Sequence, residues 1–151
     1  MRLNHFDNAG TITVSSKNLV EFLEKKGLKR GNKIKNKADI PGWILDNKNY
    51  SVSCLRGLVD TDGSFYRHRY IRSGKQYSYF TMCFTNYSRP LLNSAYNILR
   101  SLNILCVRSG NHIYIYKREE INKYFKIIGT SNPKHLKKYQ KYSGKVQQSA
   151  A

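Results

Sequence analysis

Cys54-Leu55-Arg56-Gly57-Leu58-Val59-Asp60-Thr61-Asp62-Gly63-Ser64 decides how the rest of the chain is read. Val52, Leu55, Leu58 and Val59 fall on one stripe at helical spacing. Gly57 sits in the middle of that stripe, where glycine costs about 0.5–1 kcal/mol against alanine. Such a glycine is kept where another backbone must come close. Asp60 and Asp62 fall in the last turn, followed by Gly63. A helix C-terminus already carries about −0.5 charge, so it repels carboxylates. The simplest compensation is a divalent cation held by oxygen ligands. The other reading is an ordinary helix stop, with Gly63 as a left-handed cap. Spacing excludes an EF-hand calcium loop: counting from Asp60, Phe65 stands at the glycine position and Ile71 at the closing glutamate.

The chain of 151 residues is long enough for one domain with a real core. It carries 27 Lys and Arg against 9 Asp and Glu, a net charge of +18, which argues for a polyanionic partner. The cations are spread through strands and loops and interleaved with tyrosines, which favours nucleic acid over a membrane surface. Three cysteines, Cys54, Cys83 and Cys106, form no CxxC. That points to a reducing, intracellular compartment (cytoplasm, nucleoid or organelle), not secretion, and to no zinc site. His5, His68, His112 and His135 lie far apart and read as surface or phosphate-contacting residues. No signal peptide or membrane-length apolar run is present.

Taken in order, Met1 to Gly10 carries no clear signal and Thr11–Val14 is a short β-prone run. Ser16 caps an expected helix over Lys17–Lys26, with Leu19, Val20, Phe22 and Leu23 inward and Gly27 closing it. Lys29 to Asn49 is a basic connector whose Lys29, Arg30, Lys33, Lys35 and Lys37 suit a phosphate backbone or a solvated charge run. Ile40-Pro41-Gly42-Trp43-Ile44 supplies a breaker and an apolar anchor. The motif helix is expected over Ser51–Thr61, then strands Ser64–Arg72 and Gln76–Thr85 about a Ser73-Gly74 turn. On the second strand Phe80, Met82 and Phe84 share a core face, and Tyr77, Tyr79, Thr81 and Cys83 an exposed one. A helix capped by Ser88 runs over Arg89–Asn103, with Leu91, Leu92, Ala95, Ile98, Leu99 and Leu102 buried. A second hairpin joins Cys106–Arg108 to His112–Lys117, and a helix over Glu119–Ile128 ends at Gly129. The tail from Asn132 is basic, with Lys134, Lys137, Lys138, Lys141 and Lys145.

Leu55 to Gly63 resembles the signature of the LAGLIDADG homing endonucleases: Leu, Gly, Leu, Asp, Asp and Gly match as they stand. Arg56 replaces the usual small residue and Thr61 the usual alanine. The order α-β-β-α-β-β-α over residues 50 to 140 resembles one half-domain of that family. The resemblance implies an α+β fold with a saddle-shaped antiparallel sheet that binds DNA. Residues 1–50 then form an N-terminal helix and basic linker, 51–140 the endonuclease domain, and 141–151 a flexible tail. There is also an internal echo. Thr11–Val14, the helix with Leu19, Phe22 and Leu23, and Gly27 parallel Ile113–Ile115, the helix with Ile121, Tyr124 and Phe125, and Gly129, 102 residues on. Residues 11–50 thus resemble the end of a preceding half-domain and the linker of two-motif members. On that reading the chain begins partway through a first half.

The resemblance implies a site-specific, divalent-metal-dependent double-strand endonuclease of the homing type, of the kind that carries introns into new sites. Asp62 matches the catalytic, metal-holding aspartate, with the Thr61 carbonyl a further ligand for Mg2+ or Mn2+. Lys117 matches the basic residue that family members place near the site. Thr85 and Asn86 are candidates for the family's polar, often glutamine, position. One motif supplies one acidic helix end and a duplex has two strands. A homodimer packed through Leu55, Gly57, Leu58 and Asp60 therefore answers, or a second chain carrying the other motif. Arg67, Arg69, Arg72, Lys75, Gln76, Tyr77, Tyr79 and Arg108 are the DNA-binding candidates, in hairpins that fit the major groove of double-stranded DNA. Period-2 alternation cannot put them all on one face. The competing functions are an inactive DNA-binding protein, an RNA-splicing maturase, or half of a split two-motif enzyme.

Overall fold

The computed structural model describes residues 2–6 and 9–147. In chain order it forms β1 (Arg2–Phe6), β2 (Ala9–Thr13), α1 (Lys17–Lys25), α2 (Gly42–Leu45), α3 (Lys48–Asp62) and β3 (Gly63–Arg72). Then come β4 (Lys75–Thr85), α4 (Arg89–Ser101), β5 (Val107–Ser109), β6 (His112–Ile115), α5 (Arg118–Ile127) and α6 (Pro133–Gln147). The fold is α+β. β1 and β2 form a separate antiparallel pair, and β3-β4-β6-β5 a four-stranded antiparallel sheet.

The motif helix starts earlier than its apolar stripe, because Asn47 caps it: its side chain accepts from the Asn49 and Tyr50 N–H groups at 2.9 and 3.1 Å. Leu55 and Val59 are fully buried on its inner face. They meet Phe65, Phe80, Met82, Phe84, Ile113 and Ile115 from one side of the sheet, the stripe of α4, and Ile121, Tyr124 and Ile128 of the α5 region. Each such side chain contributes about 1.5–3 kcal/mol of burial. The Ser73-Gly74 turn has positive φ at both positions, 51° and 73°, the two-residue form whose twist suits a hairpin. It pairs Arg72 with Lys75 and fixes the register back to Gly63 opposite Phe84.

Four expectations change. Gly63 is not a left-handed cap: its φ is −93° and ψ 165°, extended backbone that opens β3 directly. Glycine is required there because an added Cβ would lie 2.5 Å from the Val59 carbonyl oxygen. Leu55 does not face a partner but fills the chain's own core. The stripe of α1 is not inward: Leu19, Phe22 and Leu23 are 44%, 54% and 37% exposed. The basic tail is a helix, α6, as far as Gln147, with positions 148–151 outside the described residues. It is held by Tyr139 stacked on Phe125 (3.8 Å), Tyr142 stacked on Phe80 (4.6 Å) and His135 edge-on to Phe65 (5.1 Å).

Candidate active site and nucleic-acid interface

The two aspartates at the tip of α3 have opposite surroundings. Asp60 is a structural anchor. Its carboxylate accepts the Ser131 N–H at 2.7 Å and the Thr130 hydroxyl, and its backbone carbonyl accepts the Asn132 amide at 2.9 Å. His135 Nδ1 stands 3.7 Å away, nearly buried and beyond hydrogen-bond reach. Burial holds the pKa of His135 below the usual range, against the upward pull of Asp60. His135 is thus a neutral core residue, not a surface one. Beside it, Arg56 Nε donates to the Ile128 carbonyl at 2.6 Å, tying α3 to the end of α5. A guanidinium there also suits the negative end of that helix.

Asp62 points the other way and stays open to solvent, its side chain 36% exposed. Lys33, from the basic connector, places its ammonium 3.1 Å from Oδ2, and the Asn86 amide donates to the same oxygen at 3.3 Å. The Thr61 hydroxyl is spent on the Gly57 and Leu58 carbonyls at 3.1 Å. Thr61's own carbonyl lies in the last helical turn, where carbonyls have no partner within the helix. Among the described residues no group of three His, Cys, Asp or Glu side chains gathers to hold a metal. One carboxylate and one end-of-helix carbonyl still fit Mg2+, which keeps waters and takes substrate phosphate oxygens rather than a protein cage.

The structure does not bring Lys117 to Asp62. Gly63 pairs with Phe84, which pairs with Ile113. Lys117 lies two residues past the end of β6, at the N-cap position of α5, where its side chain makes no cap bond. Lys33 supplies the cation at the site instead. No local spacing in the sequence marks it, since the contact spans 29 residues. Of the two polar candidates, Asn86 reaches Asp62, while Thr85 bonds His112 Nδ1 at 2.8 Å.

The register sorts the DNA-binding candidates between two faces. Arg67, Arg69 and Gln76 lie in phase with Phe65 and Phe80, on the helix-covered side. Arg67 and Arg69 meet Lys138, Lys141 and Tyr142 of α6 around a cleft of about 370 Å³. Arg108 pairs with Ile113, so it shares that side, and it bonds Asn93 on α4. Arg72, Lys75, Tyr77 and Tyr79 occupy the other face with Tyr66, His68 and Tyr70. That face is tiled with aromatic rings: Tyr70 on Tyr77 at 5.2 Å, His68 on Tyr79 at 5.1 Å and Tyr114 on Tyr116 at 5.3 Å. They cover Thr81 and Cys83, which are 1% and 8% exposed rather than open. Tyr66, Tyr70, Tyr77 and Tyr116 stay near 40% exposed, at 38–43%. Cys54, Cys83 and Cys106 are free thiols, and burial pushes Cys106 up to about 11, away from reactivity.

An acid-tipped helix delivered to one end of a four-stranded antiparallel sheet, with helices on one face and an open face on the other, is the LAGLIDADG architecture. Residues 49–129, α3 through Gly129, match the family described as LAGLIDADG-like domain, and the chain belongs to that family. Among solved structures it is similar to the crystal structure of a homing endonuclease, I-TnaI. That match has 15% identity and a TM-score of 0.46, over 62% of this chain and 67% of that one. No curated protein matches the sequence. No helix of the described residues is long and apolar enough to cross a membrane.

Proposed function

We propose that the chain is a divalent-metal-dependent DNA endonuclease of the homing type. The observation that carries this reading is the division of labour at the tip of α3. Asp60 is consumed by structure, while Asp62, two residues on, is left solvent-accessible between a cation and an amide. A carboxylate kept at the negative end of a helix, with an ammonium as its ionic partner, suits a site that exchanges cations.

In this reading Asp62 and the Thr61 carbonyl hold Mg2+ or Mn2+. When bound, the metal neutralises the phosphate in transit and makes water nucleophilic at neutral pH. Lys33 balances Asp62 in the free protein and is placed to engage a phosphate oxygen once DNA arrives. Asn86 orients the carboxylate and is close enough to order a water beside it. The aromatic face supplies recognition: Tyr66, Tyr70, Tyr77 and Tyr79 present phenol edges and hydroxyls to a major groove, and Arg72 and Lys75 at the hairpin tip meet phosphates. Arg67, Arg69 and Arg108, on the other face, contribute charge and not base reading. One α3 tip serves one strand, so cutting a duplex requires a second acidic helix end beside the first.

The test is strand scission on a supercoiled plasmid that carries the DNA flanking the chain's own gene. Mg2+ or Mn2+ is expected to give cutting at one locus, and EDTA to abolish it while binding persists. Cutting that survives EDTA, or scattered without a preferred locus, overturns the reading.

A further inference from the structure

The hairpin of β3 and β4 projects past the rest of its sheet. β6 pairs with β4 only over Met82–Thr85, so among the described residues the stretch before Met82 pairs with β3 alone. α6 covers the helix side of this projection, with His135 edge-on to Phe65 and Tyr142 stacked on Phe80 at 4.6 Å. Beyond those rings the apolar packing stops. The next positions of β3 on that side are Arg67, paired with Phe80, and Arg69. From α6, Lys138 and Lys141 are brought to meet them. These four cations, with Phe80 and Tyr142 among the lining rings, surround a cleft of about 370 Å³, within the size range of small-molecule sites.

The charge in this cleft has no counterpart. The sequences of β3, β4 and α6 contain no Asp or Glu. Among the described residues none of Arg67, Arg69, Lys138 and Lys141 is in an ion pair, and all four are exposed. The charged groups that act on Tyr142 are Arg67 and Arg118 against a single acid, Glu119 of α5. Like charges gathered round one hollow repel each other, and a multivalent anion relieves that cost. Arginine brings a planar fork that fits phosphate, and lysine a compact point charge. A bare phosphate would need only this rim. Phe80 and Tyr142 add an aromatic floor, against which a purine or pyrimidine can stack. A duplex presents phosphates but keeps its bases inside, so it has no use for such a floor.

We propose that the cleft between the β3–β4 hairpin and α6 binds a nucleoside phosphate, its phosphates on Arg67, Arg69, Lys138 and Lys141 and its base against Tyr142 and Phe80. The source is a free nucleotide or one unpaired residue of a single strand, since both present a base and a phosphate. The cleft lies on the helix-covered side of the sheet and uses none of the side chains proposed to meet a major groove. It does not rest on the endonuclease reading.

The test is calorimetric titration of the full chain in EDTA, at physiological salt, with ATP, inorganic tripolyphosphate and a short oligodeoxyadenylate. ATP is expected to bind at one site per chain, at least about tenfold more tightly than tripolyphosphate, which has the charge but no ring. Arg69→Gln with Lys141→Gln should weaken ATP at least about tenfold. Arg72→Gln with Lys75→Gln removes the same charge from the hairpin tip and should leave ATP binding within about twofold. Tyr142→Leu should weaken ATP about tenfold and leave tripolyphosphate unchanged. Tyr142 also packs α6 on Phe80, so unchanged tripolyphosphate binding is the check that the cleft persists; where it is lost too, the two glutamine pairs decide. An oligonucleotide that displaces ATP and binds more tightly assigns the site to an unpaired strand, and one that does not assigns it to a free nucleotide. Tripolyphosphate as tight as ATP would show a bare anion site. Equal losses from both glutamine pairs would show diffuse attraction to a chain of charge +18. Either result, or no binding of ATP and oligonucleotide alike, overturns the proposal. None of these readouts depends on DNA being cut, so a failed cleavage assay would fault the endonuclease reading alone.

Discussion

At the scale of single residues, the two aspartates of the motif have opposite surroundings, one bonded into the fold and one open to solvent. Asp60 is nearly buried and accepts two hydrogen bonds through its carboxylate, so removing it breaks both and leaves the part-buried Thr130 hydroxyl without its acceptor. Asp60→Ala is expected to cost about 1–3 kcal/mol in denaturant melts. Asp62 is an exposed ion-pair partner, and Asp62→Ala should move stability by less than about 1 kcal/mol. Equal losses would contradict the assignment. His135 gives a pH signature. Its folded pKa is depressed, so the unfolded chain takes up the proton first as pH falls through about 6.5. Stability present above that pH should decline between roughly pH 7 and the folded pKa, and His135→Gln should flatten that part of the profile. The sequence displayed the Asp-Thr-Asp-Gly run but not which acid was free. That depends on Thr130, Ser131 and Lys33, whose contacts to the tip span 70, 71 and 29 residues.

At the scale of elements, the two glycines of α3 make opposite predictions. Gly57→Ala meets open space, so in the chain alone it should stabilise by about 0.5–1 kcal/mol. On the dimer that the motif's resemblance implies, a partner helix packs at Gly57, so the added methyl should also impair cleavage. Gly63→Ala drives a Cβ against the Val59 carbonyl and should destabilise by about 1–3 kcal/mol. Thermal melts and scission rates on the two variants check both. Element positions were largely legible, since α3, β3, β4, α4 and α5 follow periodicity and capping within a few residues. Alternation alone left the faces of β3 open, and the turn settles them. A two-residue turn at Ser73-Gly74 pairs Arg72 with Lys75 and so sets Arg67 opposite Phe80, on the core side. α6 is marked by His135, Tyr139 and Tyr142 at i, i+4 and i+7, but an excess of lysine makes that stretch read as a solvated tail. The exposure of α1 had no local signal, because an apolar stripe states what a helix can bury and not whether its cover is present.

At the scale of the whole molecule, a charge of +18 favours a polyanion but repels itself, so binding to DNA should fall steeply with salt. The proposed function puts scission at Asp62, where α3 runs into β3, and recognition on the open aromatic face of the same sheet. The measurement that tests this most directly is the rate of Mg2+-dependent scission by Asp62→Asn and by the unsubstituted chain, at DNA concentrations that give equal occupancy. The substitution keeps the shape of the side chain and removes its charge. We predict a loss of at least about 1,000-fold in rate with affinity for DNA changed less than about threefold. Cutting by Asp62→Asn at the unsubstituted rate would contradict the account.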